Sequence, residues 1–333
     1  MSNTESCIFF CGDLFVGREI SGGEASRLFR FAGDAPVLVN LEGSLKLSDA
    51  KARFGKACPL ELHASLADSL PSNVHVSLAN NHSLDFGRRS YLHTRERFAR
   101  NLVRHERSED VFLDGVPIRF LADLREECKP VRIDCYPFSR SVSRTPAVVK
   151  DAVLYVHGGI EYRKYPSYLQ RNIAHELIDA GARAVIFQHS HIKGVFEAYG
   201  GGLICYGLGN FFFSSVNGRH GEDRIDGQVL RYDRVPGSWS VAVITPEYLG
   251  GNGDLQFEPV EAGFLETLPD DYKAFYKARY PLDRSLRPRQ LDRSEWLTNL
   301  KFLVWLRLSK LLILTGLSGR VKSLIGKVSK RPS

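Results

Sequence analysis

Residues 74–87 read Val74-His75-Val76-Ser77-Leu78-Ala79-Asn80-Asn81-His82-Ser83-Leu84-Asp85-Phe86-Gly87. An apolar strand over Val74 to Ala79 delivers Asn80-Asn81-His82 into a loop that Gly87 closes. The same event recurs on either side. Cys7 to Cys11 runs into Gly12-Asp13, and Pro36 to Asn40 into Asn40-Leu41-Glu42. Ala152 to Val156 ends in His157-Gly158-Gly159, and Ala184 to Phe187 in Gln188-His189-Ser190-His191. Between these strands the pattern predicts helices at Leu60 to Leu70, stopped by Pro71, at Arg88 to Arg107, and at Tyr168 to Ala180, capped by Gly181. Strand-helix alternation argues for an α/β core, and strand ends are where such cores place ligands and chemistry.

The rest of the chain is less periodic. Residues 109–150 give short strands at Val116 to Ala122 and Val131 to Tyr136 and a Ser/Arg-rich loop at Ser139 to Thr145. Leu203 to Tyr206 and a Gly207-Leu208-Gly209-Asn210-Phe211 turn lead into a β-rich segment ending near Pro246. Gly200-Gly201-Gly202 lies between two strands rather than at a helix start, so it reads as a hairpin turn and not a phosphate loop.

With 333 residues and 43% hydrophobic content the chain can bury a large core. Six cysteines without a CxxC pair argue for reduced thiols rather than a disulfide framework or zinc knuckle. The net charge of +7 is clustered: Asn299 to Ser333 carries eight Lys and Arg and no acid, which leaves the first 298 residues at −1. A basic catalytic body is excluded.

Each strand-end residue has a plain explanation taken singly. Asp13, Asn80 and Asn81 suit turns, and a lone His157 is more often a hydrogen-bonded core histidine than a ligand. Five strand ends carrying Asp, Glu, Asn or His together are harder to assign to chance. A divalent metal pair needs hard oxygen donors, a bridging carboxylate and imidazoles able to hold Mn, Fe or Zn, and Asp13, Glu42, Asn81, His157, His189 and His191 supply that set. His82, beside a ligand, is placed to donate a proton.

These residues carry a resemblance. The ordered set Gly12-Asp13, Asn40-Leu41-Glu42, Ala79 to Gly87, His157-Gly158 with Glu161-Tyr162, His189-Ser190-His191 and Gly207 to Phe211 resembles the CapA family of poly-γ-glutamate capsule biosynthesis, a branch of the calcineurin-like metallophosphoesterase superfamily. The resemblance implies a four-layer α/β sandwich of two mixed β-sheets flanked by helices. It implies one or two divalent ions, with Asp13 and His191 on the first, Glu42 bridging, and Asn81, His157 and His189 on the second. His82 and Glu161 become the implied catalytic residues, and Asn80, Tyr162 and Glu197 the implied substrate contacts. The implied function is capsule or cell-envelope polymer biosynthesis by a metal-dependent hydrolase or transferase that activates a water or acceptor. Two departures bear on this. Metallophosphoesterases carry Asp-x-His at the first motif, where this chain has Asp13-Leu14-Phe15, so the resemblance implies a weak or vacant first site. Phe15 thereby favours the alternative of a non-catalytic accessory or scaffold protein of a capsule synthesis complex.

Three regions are expected: a metallophosphoesterase-like domain over 1–246, a helical or loop arm over 247–298, and a basic amphipathic tail over 299–333. Leu300 to Leu317 is interrupted by Lys301, Arg307 and Lys310 and is too short between charges to span a bilayer. It reads equally as an interfacial helix on anionic lipid, with Trp305 at headgroup depth, or as a helix packed on the domain before a solvated tail. Nucleic acid is the weaker partner, because no base-stacking aromatics accompany the charge. With neither a signal peptide nor a transmembrane helix read, the expected location is the cytoplasm or the inner membrane face.

Overall fold

Strands that are apolar without alternation need cover on both faces, and two mixed sheets with outer helices supply it. The computed structural model describes residues 7–53, 58–103, 111–122, 150–214, 224–262 and 264–280. The first sheet contains β1 (Cys7–Phe15), β2 (Val37–Leu41), β3 (Val74–Ser77), β10 (Gly209–Phe213), β11 (Arg224–Asp233), β12 (Ser238–Val243) and β13 (Glu258–Pro259), in the order β13-β12-β11-β10-β1-β2-β3. Strands β10, β1, β2 and β3 are parallel, and β11 to β13 continue the sheet antiparallel. The second sheet contains β4 (Val111–Leu113), β5 (Val116–Ala122), β6 (Val153–His157), β7 (Ala184–Gln188), β8 (Phe196–Tyr199) and β9 (Gly202–Cys205), in the order β4-β5-β6-β7-β9-β8. Its four central strands are parallel and its two edges antiparallel. The expected α/β sandwich of two mixed sheets with flanking helices is borne out.

Every residue of β1, β2, β6 and β7 is buried. One apolar cluster joins Phe10, Leu14 and Val39 of the first sheet to Phe120, Tyr155 and Ile186 of the second. Each such side chain contributes about 1.5–3 kcal/mol on leaving water. The sheets are also pinned by a polar contact, Tyr155 Oη donating to Cys11 O at 2.6 Å. Helices α1 (Gly22–Leu28) and α2 (Ser65–Ser69) pack on each other, and α4 (Tyr168–Asp179) packs on β7 and on α6 (Tyr272–Arg279). α3 (Gly87–Arg97) and α5 (Pro246–Leu249) complete the helices among the described residues.

Three expected elements change. Of Leu60 to Leu70 only Ser65–Ser69 is helical, because Leu60, Leu62 and His63 form backbone hydrogen bonds with Ser44 and Val16 instead of a helical turn. The long helix from Arg88 stops at Arg97, after which Asn101 and Val103 bond Val76 at the edge of β3. The expected turn at Gly207 to Phe211 is largely strand β10. There the backbones of β1 and β10 approach so closely that a Cβ at Gly12 would run into the Gly209 carbonyl. The Gly200-Gly201 hairpin stands, joining β8 to β9 with both glycines at positive φ. Strand Val131 to Tyr136, loop Ser139 to Thr145 and the tail from 299 lie outside the described residues. Among the described residues no helix is long and apolar enough to cross a membrane.

Candidate metal centre

The carboxyl ends of the parallel strands of both sheets deliver the polar residues to one place. In the first sheet Asp13 of β1 stands in register with Asn210 of β10 and Asn40 of β2. This row of acid and amides sits beneath the histidines. Asn40 Nδ2 donates to Asp13 Oδ1 at 2.8 Å and lies 3.1 Å from His157 Nδ1, while its Oδ1 accepts from Asn80 Nδ2 at 3.1 Å. Asn210 Oδ1 meets His191 Nδ1 at 2.9 Å. Asp13 Oδ2 accepts the backbone N–H of His189 at 3.1 Å. Neither Asn40 nor Asn210 was assigned a role from sequence; both sat inside quoted motifs, Asn40-Leu41-Glu42 and Gly207 to Phe211, and that was their only signal.

His157 closes β6, and His189 follows β7 directly. The two imidazoles meet edge to face with centroids 4.7 Å apart, and His189 and His191 lie at 6.0 Å. His157 Nε2 is 2.8 Å from Asn81 Oδ1. Glu42, fully buried just past β2, faces His82 at 3.7 Å, His157 at 3.9 Å and His191 at 3.9 Å. One ligand atom from each of Glu42, His189 and His191 lies within 4.8 Å of the others, a grouping able to hold a metal ion. The structure therefore brings Asp13, Glu42, Asn81, His82, His157, His189 and His191 together.

The electrostatics suit ligation. Burial, with the neighbouring His157 and His191, holds the His189 imidazole well below its ordinary range, and burial likewise lowers His157. Both are then neutral bases near pH 7, the form that binds metal. Burial pushes the Asp13 carboxyl up, but His157, His191 and Asn40 outweigh it and keep the acid below its usual range, as an anion. His189 Nδ1 is buried and has no hydrogen-bond partner in the structure, a costly state for a ring nitrogen unless something ligates it. A divalent cation fits these residues: hard carboxylate and amide oxygens, neutral imidazoles and one buried nitrogen without a partner.

Strain marks the same place. His189 and His191 have φ of +82° and +56°, and Tyr162 has +58°, a region that side chains enter at a cost of about 1–3 kcal/mol when structure over-determines them. His82 Nδ1 is held by Asp85 Oδ2 at 2.6 Å, which turns Nε2 toward Glu42. Asn80 is a frame residue rather than a rim residue. It is fully buried, donates to Leu41 O at 2.8 Å and accepts from the His82 N–H at 3.0 Å. Tyr162 is 55% exposed with its ring 5.7 Å from His191, and Glu161 Oε1 is 3.8 Å from His189 Nε2, so both stand at the edge of the cluster.

Phe15 and Glu197 are placed differently. Phe15 is buried against Phe213 at 5.0 Å, and Phe213 meets the His191 ring edge-on at 5.3 Å, so an aromatic pair adjoins the histidine where the first-motif ligand is missing. The structure does not bring Glu197 to the cluster. Its partners are Arg171 at 2.6 Å, His175 at 3.1 Å and Tyr206 at 2.7 Å, a network between α4 and the outer strands of the second sheet. Its contacts give it no described route to a ligand at the histidines.

Comparison with known proteins agrees with the motifs. The family model described as bacterial capsule synthesis protein PGA_cap matches residues 125–215, the stretch that holds His157, His189, His191 and Asn210. The capsule biosynthesis protein CapA of Bacillus anthracis is 41% identical over 61 residues, 18% of this chain and 15% of that protein. The PGA biosynthesis protein CapA of Bacillus subtilis (strain 168) is 41% identical over 61 residues, 18% of this chain and 16% of that one. A hypothetical protein from Thermus thermophilus aligns over 76% of this chain and 100% of its own, at a TM-score of 0.37 and 16% identity, too low to argue from.

Proposed function

From the premise that this chain has the CapA-family likeness, we propose that it is a capsule or cell-envelope polymer biosynthesis protein whose histidine cluster holds divalent metal ions and works in hydrolysis or group transfer. The observation that carries the reading is the convergence of Glu42, His189 and His191 around His189 Nδ1, a buried nitrogen with no hydrogen-bond partner. Asn81, His157 and His189 with Glu42 would hold one ion, and Asp13 and His191 with Glu42 another. Manganese, iron or zinc bound there would supply Lewis acidity, making a water or acceptor hydroxyl more acidic and polarising the group under attack.

The chain's own residues then have distinct tasks. Asn40 and Asn210 orient the His157 and His191 rings through the contacts at their Nδ1 atoms. Asp85 fixes His82, and the protonated ring presents Nε2–H toward the cluster as the group that protonates a leaving atom. Tyr162 and Glu161 at the rim contact substrate. Phe15 favours a second reading, an accessory protein that keeps the fold and one ion without turnover.

The test combines metal analysis with a screen of phosphoesters and γ-glutamyl peptides in Mn²⁺. His189→Ala and Asn81→Ala are expected to lose bound metal, and His82→Ala to keep the metal and lose hydrolysis. If metal content and activity are indifferent to all three changes, the site is misread. Bound metal with no turnover of any substrate supports the accessory reading.

A further inference from the structure

Beyond the two sheets the chain ends its described course in α6, and the contacts of this arm fall on one short stretch, residues 163–166. Tyr272 Oη donates to Pro166 O at 2.8 Å, and the Arg163 guanidinium donates to the Tyr276 hydroxyl. Lys164 Nζ lies 2.7 Å from the Glu266 carboxylate, and the Tyr165 ring meets Phe275 edge-on at 5.3 Å. Tyr276 is fully buried and Tyr272 nearly so. The residues just before this stretch are Glu161 and Tyr162, at the rim of the histidine cluster. On the cluster side that corner is held by the Tyr162 N–H donating to Ser190 O at 2.7 Å, between His189 and His191. Tyr162 also holds a left-handed backbone, which relaxes unless its surroundings enforce it.

We infer that α6 is a positioning element for the Glu161–Tyr162 corner, with Tyr276 and Tyr272 as the positioning residues. Their hydroxyls anchor residues 163–166, so that the exposed Tyr162 ring stays beside His191 and Glu161 stays beside His189. The inference rests on the reading of the cluster as a metal site with this corner at its substrate edge. None of the arm residues lies within the stretch matched by the capsule-synthesis model, 125–215, so the anchor is carried by sequence outside that match.

The experiment uses the full chain with Tyr276→Phe and, separately, Tyr272→Phe, each of which removes one hydroxyl and keeps the ring. Three quantities are read: amide hydrogen exchange over residues 159–166, Mn²⁺ affinity by calorimetry, and Mn²⁺-induced broadening of the Tyr162 resonance in fluorotyrosine-labelled protein, assigned by its loss in Tyr162→Phe. In Tyr276→Phe the exchange of the corner is expected to rise about tenfold, as for loss of one buried hydrogen bond to a charged group. The broadening is expected to weaken while Mn²⁺ affinity stays within about twofold, because no ligand has been touched. Unchanged exchange in both variants overturns the inference. Faster exchange with unchanged broadening also overturns it, reducing α6 to packing. Should Tyr276→Phe fail to fold, Tyr272→Phe alone decides between the same results. A wild-type chain that binds no Mn²⁺ defeats the metal reading, and the exchange measurement still decides whether α6 holds the corner.

Discussion

Glu197 and Asp13 are both buried carboxylates set among histidines, and their neighbours balance them in different ways. Glu197 receives a guanidinium through two nitrogens at 2.6 and 3.0 Å, an imidazole at 3.1 Å and a phenol at 2.7 Å. Burial alone would raise its pKa, but His175, Arg171 and Tyr206 lower it to about 2. Asp13 is met by Asn40, by the His189 N–H and by the imidazoles of His157 and His191 at 3.6 and 3.7 Å. A fixed cation built into the chain makes the first cluster a piece of structure. Neutral imidazoles and amides leave the second suited to a cation that comes and goes. The difference teaches that a buried acid beside a histidine is not in itself a site; the identity of the countercharge decides.

The largest effect expected from breaking this comparison is on stability. Glu197→Gln leaves the Arg171 guanidinium buried without its anion and is expected to cost about 3–5 kcal/mol in denaturant unfolding, with Mn²⁺ affinity within about twofold of wild type. The acid dependence follows from the same pair. Because the folded pKa of Glu197 is depressed from 4.5 to about 2, its contribution is complete above the unfolded value and disappears as pH falls through the folded one. Wild type should therefore lose about 3 kcal/mol between pH 5 and pH 2 through this group, and the Gln variant should lack that component. A Gln variant as stable as wild type, with the same acid profile, would show that the network carries no weight.

The second change probes the other cluster and is expected to act on affinity. His189→Ala removes the buried nitrogen that lacks a partner, and should weaken Mn²⁺ binding by about 100-fold or more, since even supporting residues cost 10–100-fold. Unfolding without metal should change little by comparison, because the deleted ring gives up a strained backbone position as well as its contacts. Equal Mn²⁺ titrations for the variant and wild type would remove the distinction between the clusters.

Much of this was legible in the sequence because parallel strands bury both faces and display chemistry only at their ends. Apolar runs stopping at Asp13, Glu42, Asn81, His157 and His189 therefore announced both the sheets and the residues that meet. Periodicity could not show that Asn40 and Asn210 flank Asp13, since cross-strand register joins residues 13, 40 and 210 without any local pattern. Strand β10 was hidden for a related reason. Its glycines look like a turn, and only the closeness of the β1 backbone explains why Gly209 is needed there. Glu197 was drawn toward the site by motif position, and its real partners, Arg171 and His175, lie on a helix whose inward face carried no metal-like signature.

Phe15 offers the finest test, because it acts within the histidine cluster rather than between the two clusters. Asp13 and Phe15 are two residues apart in β1 and so point to the same face, where Phe15 packs on Phe213 beside His191. Phe15→His places an imidazole at the position that metallophosphoesterases reserve for a ligand. Without metal the variant should be less stable by about 1 kcal/mol or more, from the lost ring pair and a buried polar ring. With Mn²⁺ it should gain a second bound ion, or bind the ion on the Asp13 and His191 side about tenfold more tightly, and recover stability in proportion to the metal present. If calorimetry shows the same stoichiometry and affinity as wild type, Phe15 is not what separates the two halves of the centre. If a second ion binds and hydrolysis of a phosphoester appears only in the variant, the native chain is an accessory protein whose aromatic pair at Phe15 and Phe213 keeps the first half of the centre closed to metal.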